Sequence, residues 1–85
     1  MASGSSVSRF DAARRLSALS SGARGVVARV VDTDRARAER LEALGVTPGA
    51  AITVLQTFPG VVFQCDQTEL AVERAVAHVI LIHVT

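Results

Sequence analysis

Lysine, tryptophan and tyrosine are absent from the 85 residues, and cysteine occurs once. Each absence excludes something. With Cys65 alone, no intrachain disulfide can form, and nothing argues for an oxidising compartment. No window approaches the roughly 20 apolar residues needed to span a bilayer. The basic charge rests on nine arginines against eight acidic residues, for a net charge of +1. A nucleic-acid binder takes much of its affinity from neutralised phosphates and shows a basic excess. Here that excess is only local: Arg9, Arg14, Arg15 and Arg24 face Asp11 alone across residues 1–25. No nucleic-acid partner is expected.

What is present points to one small domain. Apolar residues make up 49% of the chain, enough for a core and too many for wholesale disorder. A domain of this size buries only roughly 60–65% of its unfolded surface, so a partner or a second copy covering apolar surface is expected. Residues 1–15 read as a flexible leader or a short N-terminal helix, and residues 16–85 as the domain proper. With Arg, Ser and Ala and little acid, the N-terminal stretch resembles an organellar transit peptide as much as a loose leader, and it has no continuous apolar stretch of the secretory kind. Phe10, Ala13, Leu16 and Leu19, three apart, suit one side of a short helix that Ser20-Ser21-Gly22 ends.

The stretch RGVVARVVD (24–32) is a strand by its β-branched content. Val26, Ala28 and Val30 share one face, with Val27, Arg29 and Val31 on the other; a bulge at Gly25 or burial on both faces would explain this. Next, DTDRARAERLEALG (32–45) is the clearest helix. Asp32, Thr33 and Asp34 offer N-cap oxygens. Ala38, Leu41 and Leu44 set a narrow apolar stripe, with Leu41 and Leu44 assigned to the core. Gly45 fits the left-handed position just past the helix. Thr47-Pro48-Gly49-Ala50 then reads as a type II turn, Pro48 presetting its second position and Gly49 supplying the positive φ of its third.

AAITVLQTF follows as a strand with Ile52 and Val54 on one face, and Phe58-Pro59-Gly60-Val61 repeats the Pro-Gly turn. VVFQC returns as the hairpin's other arm, with Val61, Phe63 and Cys65 alternating inward. ELAV is a short strand, ERAVAH one helical turn, and VILIHV a closing strand. Crossovers long enough for parallel pairing are missing among the later strands, so the sheet is antiparallel. About five short strands cannot make a sandwich; a mainly β, SH3-like barrel with a short helix after the first strand fits.

The residues that could carry chemistry are few. Cys65, at an inward strand position, reads as a small hydrophobe. His78 and His83 are five apart, which points them to opposite faces if both lie in the last strand. If His78 lies in the preceding turn, convergence stays open. No zinc or iron spacing occurs, so no intrachain metal site and no cofactor are assigned. A weak transition-metal site between molecules stays open, with His83 a candidate. No glycine-rich phosphate loop is present. Arg35, Arg37 and Arg40, interleaved with Glu39 and Glu42, form a solvated face on which Arg37→Ala leaves stability nearly unchanged. Nothing supports an enzyme.

One resemblance gathers these features. Leu16, Leu19 and Gly22 match an opening Leu-x-x-Leu-x-x-Gly segment, and Arg40, Leu41, Leu44, Gly45, Val46, Pro48 and Gly49 match Arg-Leu-x-x-Leu-Gly-hydrophobic-x-Pro-Gly. Leu70-Ala71-Val72 and Ala77, Ile80 and Ile82 match the closing strands. Over residues 16–84 the chain resembles FeoA, the ferrous iron transport protein A family. It departs from the family pattern at Gln67, Glu73 and Ala75. The resemblance implies an SH3-like barrel acting as a non-catalytic cytoplasmic accessory of FeoB, a ferrous-iron transporter with a GTPase domain. Such a partner would recruit it to the inner face of the membrane. The contact surface expected for such a partner combines Arg37 and Arg40 on the helix with Phe58 and Pro59 at the hairpin tip. A metal-responsive regulator, with ions bound between subunits of a homo-oligomer, is the alternative.

Overall fold

The structure is a computed structural model and describes residues 13–85. Six antiparallel strands form one sheet: β1 (Ala13–Arg15), β2 (Arg24–Val30), β3 (Ala51–Gln56), β4 (Val61–Cys65), β5 (Thr68–Val72) and β6 (Ile80–Val84). Their order is β1-β6-β2-β3-β4-β5, so β1 and β5 are the edges. A 3-10 turn covers Leu16–Ala18, helix α1 covers Arg35–Ala43, and a single helical turn, α2, covers Arg74–Ala77. This is the expected mainly β, SH3-like architecture, with one strand more than the sequence indicated.

The extra strand is β1. The three-residue spacing of Ala13, Leu16 and Leu19 suggests a helix, but Ala13–Arg15 pair with Leu81–His83 of β6. Leu16 and Leu19 are buried beneath the turn that follows. Pairing with an otherwise open strand edge outweighs the weak helical spacing, because it satisfies backbone donors and acceptors on both strands. Residues 10–12 of that expected helix, and most of the leader, lie outside the described residues.

Strand β2 resolves its own irregular pattern. Val27 pairs with Ile82 and Arg29 with Leu81, so Ala28 is an extra residue and the bulge sits there, not at Gly25. Inserting one residue reverses which side chains face inward. Val27 therefore lies in the core before the bulge, and Val30 packs against the core after it. Gly25 has another role: a Cβ there would collide with the His83 carbonyl oxygen of β6. A second bulge, at Leu55 between the Val54–Phe63 and Gln56–Val62 pairs, bends β3 and turns Leu55 outward. The core enclosed by this bent sheet includes Leu16, Val27, Leu41, Val46, Ile52, Val54, Val61, Phe63, Ile80 and Ile82.

Helix α1 begins as its sequence dictates. The Asp34 carboxylate accepts the Arg37 N–H at 3.1 Å, capping one of the free first-turn amides. Its end departs from the expected stripe. Leu41 is buried, but Leu44 is 51% exposed, because Leu44 is the C-cap and the chain reverses directly after it. Gly45 at φ +100 donates to the Glu42 carbonyl and Val46 donates to the Leu41 carbonyl, at 2.9 and 3.0 Å. That pair of bonds is a Schellman motif, whose apolar contact joins the residues at either end of the longer bond. Val46, buried like Leu41, thus takes the core position expected of Leu44.

Thr47–Ala50 closes with an Ala50 N–H to Thr47 carbonyl bond of 3.0 Å, and Gly49 sits at φ +93, as a type II turn requires. The second Pro-Gly pair does not repeat it. The Phe58–Pro59 peptide is cis, and Gly60 is not among the residues with positive φ.

Gly49→Val is expected to lower Tm by roughly 5–10 °C, since a left-handed residue with Cβ is penalised by about 1–2 kcal/mol. No atom lies within 4 Å of a Cβ placed at this position, so the loss is assigned to backbone conformation. An unchanged melting curve would refute this account of the turn.

Candidate functional site

The four residues implicated in partner contact fall into two environments. Arg37, in the first turn of α1, turns its guanidinium onto Asp32 just upstream. Its Nη2 donates to Oδ1 at 3.0 Å and its Nε donates to Oδ2. Asp32 Oδ1 also accepts the Asp34 N–H at 2.9 Å, so Asp32, Asp34 and Arg37 together tie the β2–α1 junction. The Asp32 side chain is 2% exposed and that of Arg37 33%. The hydrogen bond from Arg37 holds the Asp32 carboxyl below its ordinary range, the Asp34 amide adds to this, and burial opposes it. The same bond raises Arg37. This side chain is engaged within the fold, contrary to the solvated role its spacing suggested. Arg40, one turn on, is exposed and has no hydrogen-bonded partner among the described residues.

Phe58 and Pro59 cap the β3–β4 hairpin, with Phe58 79% exposed, the most exposed large apolar side chain described. The loop beneath them is held from two sides. Gln56 Nε2 donates to the Phe58 carbonyl at 3.0 Å, and Arg74 Nη1 donates to the Thr57 carbonyl at 2.7 Å. Glu73, next to Arg74 in the sequence, lies near enough to Arg37 for its charge to add to the raising of that group. No hydrogen bond joins the helix arginines to the tip among the described residues.

The structural motif holds no reactive group. Pro48 and Gly49 lie in the exposed turn, and the Gly45 carbonyl accepts the Cys65 Sγ–H at 3.3 Å. Cys65 is 2% exposed and the end of an inward-facing row, as expected. Burial pushes its thiol up, and the neighbouring Asp66 charge adds to that. His78 lies in the C-cap of α2 and not in the last strand; its Nδ1 is 3.4 Å from Ser17 Oγ. His83 is half-buried on β6, opposite Ala13 and Val26. No group of three or more His, Cys, Asp or Glu residues among the described residues could hold a metal ion. A groove of about 530 Å3 runs between α1 and the end of β2, with Val30, Ala38 and Val46 as apolar lining and Arg29, Arg35 and Glu42 among its charged residues.

A family model for the FeoA domain matches residues 14–84. The chain belongs to the FeoA family. The FeoA protein of Chlorobium tepidum is 31% identical, with a TM-score of 0.75 over 84% of this chain and 70% of that one. The crystal structure of an iron uptake regulatory protein, FeoA, is 25% identical, with a TM-score of 0.75 over 86% of this chain and 97% of that one. A manganese-dependent transcriptional repressor shares the fold, with a TM-score of 0.79 at 24% identity over 86% of this chain and 42% of the repressor. No curated protein sequence gives a significant match. The Leu-Gly-Val-x-Pro-Gly reversal of this FeoA member serves the fold through its backbone hydrogen bonds.

Reasoning from sequence missed one constellation. Arg15, Ser17, Thr57, Arg74 and His78 come together through hydrogen bonds that cross as many as 63 residues of chain. No local spacing could have announced it, since each partner is a backbone carbonyl or a residue on a different element.

Two measurements check these environments. Because the Asp32 carboxyl is depressed in the fold, its contribution is complete above its unfolded value near 3.9 and fades as pH falls through the lower folded value. Arg37→Ala should therefore lower Tm at pH 7 and lower it less at pH 3; an equal deficit at both would contradict the ion pair. Native protein should react with a thiol-specific reagent at pH 8 at least about tenfold more slowly than denatured protein. Equal rates would place Cys65 at the surface.

Proposed function

We propose that this FeoA-family chain is a non-catalytic accessory of ferrous iron uptake that binds the cytosolic part of a FeoB-type transporter and modulates it. Family membership supplies the link to iron transport. The observation that carries the interaction reading is Phe58, 79% exposed on a loop fastened from both sides. A large aromatic held in water by its own scaffold gains burial only from a partner, and aromatic anchors of this kind dominate binding energy at interfaces. A fastened loop also loses little conformational freedom when it docks.

No helix among the described residues is long and apolar enough to cross a membrane. On this reading the chain reaches the membrane through its partner, on the cytoplasmic side where the transporter's GTPase domain lies. Phe58 and Pro59 make the contact, and Arg40 remains free to add to it. Arg37 serves the fold first.

The folded chain, titrated calorimetrically with the transporter's cytosolic part, is expected to bind. Phe58→Ala should weaken that binding by about tenfold or more while leaving Tm within about 2 °C of the parent. Absence of heat or complex at high micromolar concentration, with a folded sample, would overturn the proposal.

A further inference from the structure

Beside the hairpin tip, side chains from three separate elements form a connected cluster that also reaches the hairpin loop's backbone. Arg15, at the end of β1, donates Nη1 to the His78 carbonyl at 2.7 Å. His78 places Nδ1 3.4 Å from Ser17 Oγ, and the Ser17 carbonyl accepts Arg74 Nη2 at 3.0 Å. Arg74 completes the chain by donating Nη1 to the Thr57 carbonyl at 2.7 Å, directly beneath Phe58. Arg15, Phe58, Arg74 and His78 are all exposed. Two guanidinium groups and an imidazole are thus linked, through Thr57, to the loop that carries the most exposed aromatic ring described.

The partners of those guanidiniums matter. Both donate to neutral carbonyl oxygens, and among the described residues no carboxylate lies within ion-pair distance of either. A carbonyl fixes the direction of a guanidinium without cancelling its charge. Arg37 is the contrast, since Asp32 neutralises it. Glu73, the acidic residue beside Arg74, makes no ion pair with it among the described residues. The fold therefore holds two positive forks in place, each with N–H groups left over, and such forks match carboxylates.

We propose that Arg15, Arg74, His78 and Phe58 form the docking site for an acidic protein segment carrying an apolar side chain. Its carboxylates meet the guanidiniums and its apolar residue covers Phe58. This rests on the partner-binding reading above and moves the charged part of the contact from the α1 arginines to the β1–α2 side. An anionic bilayer fits less well: one exposed ring is little apolar surface, and stable membrane attachment takes two signals. Fixed forks also favour discrete carboxylates over a diffuse charged surface.

The test titrates the full, isotope-labelled chain with the peptide Glu-Asp-Leu-Asp-Glu, its lysine-for-acid counterpart, and phosphatidylglycerol vesicles. The acidic peptide alone should shift the amide signals of Ser17, Phe58, Arg74 and His78 saturably. Arg15→Gln and Phe58→Ala should each weaken it by about threefold to tenfold, and Arg35→Gln should not. Shifts centred on α1, no shifts, equal response to the lysine peptide, or binding to vesicles in place of peptide would overturn the site. The same variants are then tested against the transporter's cytosolic part. Binding unaffected by Arg15→Gln and Phe58→Ala refutes this site and leaves the transporter reading standing. Peptide binding at this patch without transporter binding refutes that reading and leaves the site standing.

Discussion

Gly49 donates its N–H to the Val27 carbonyl at 2.8 Å while Val27 donates to the Ala50 carbonyl at 2.9 Å, fastening the turn after α1 to the middle of β2. Everything on either side takes its position from that stitch. Upstream, the Schellman reversal at Gly45 sets Leu41 and Val46 side by side in the core. Downstream, β3 leaves the turn in register, with Ala51 opposite Val26 and Thr53 opposite Arg24. Cys65 then reaches the Gly45 carbonyl, and Asp66 accepts the Ala51 N–H at 3.0 Å, so the β4 end is tied to the same place. Two glycines with positive φ make this possible, because two reversals within so few residues demand conformations that side chains with Cβ resist.

The strands obey a second constraint. A six-stranded antiparallel sheet around so small a core has to bend sharply, and the extra residues Ala28 and Leu55 are where β2 and β3 do so. Bending has consequences for the surface as well. The bulge at Leu55 turns that side chain outward, and β1 and α2 are tied to the Phe58–Pro59 loop through Arg15, Ser17 and Arg74. Arginines on this molecule thus divide by what they touch. Arg37 is spent on a junction; Arg15 and Arg74 are oriented by carbonyls with their charge intact.

Much was legible in the residues themselves. Turn and cap positions follow from local chemistry: only certain side chains tolerate positive φ or fix φ near −65°, and only short polar side chains reach first-turn amides. Hence Asp34, Gly45, Pro48 and Gly49 stand where the sequence placed them. The alternation of Ile52 with Val54, and of Val61, Phe63 and Cys65, likewise marks an inward face, since successive strand residues point to opposite sides. The family motif, carried by the same reversal, was readable for that reason.

Other features depend on partners distant in the chain, and no spacing encodes a distant partner. Ala13–Arg15 became a strand because β6 offered an edge, although their spacing suited a helix. Leu44 gave up its core place to Val46 because the chain turned before it could pack. Arg37 proved engaged because Asp32 lies where the β2–α1 turn carries it. By itself the sequence determined the helix caps, the Thr47–Ala50 turn, the inward faces of β3 and β4, and the family. Tertiary structure decided which arginines keep their charge available beside Phe58, because that depends on carbonyls and carboxylates that only the closed sheet brings within reach.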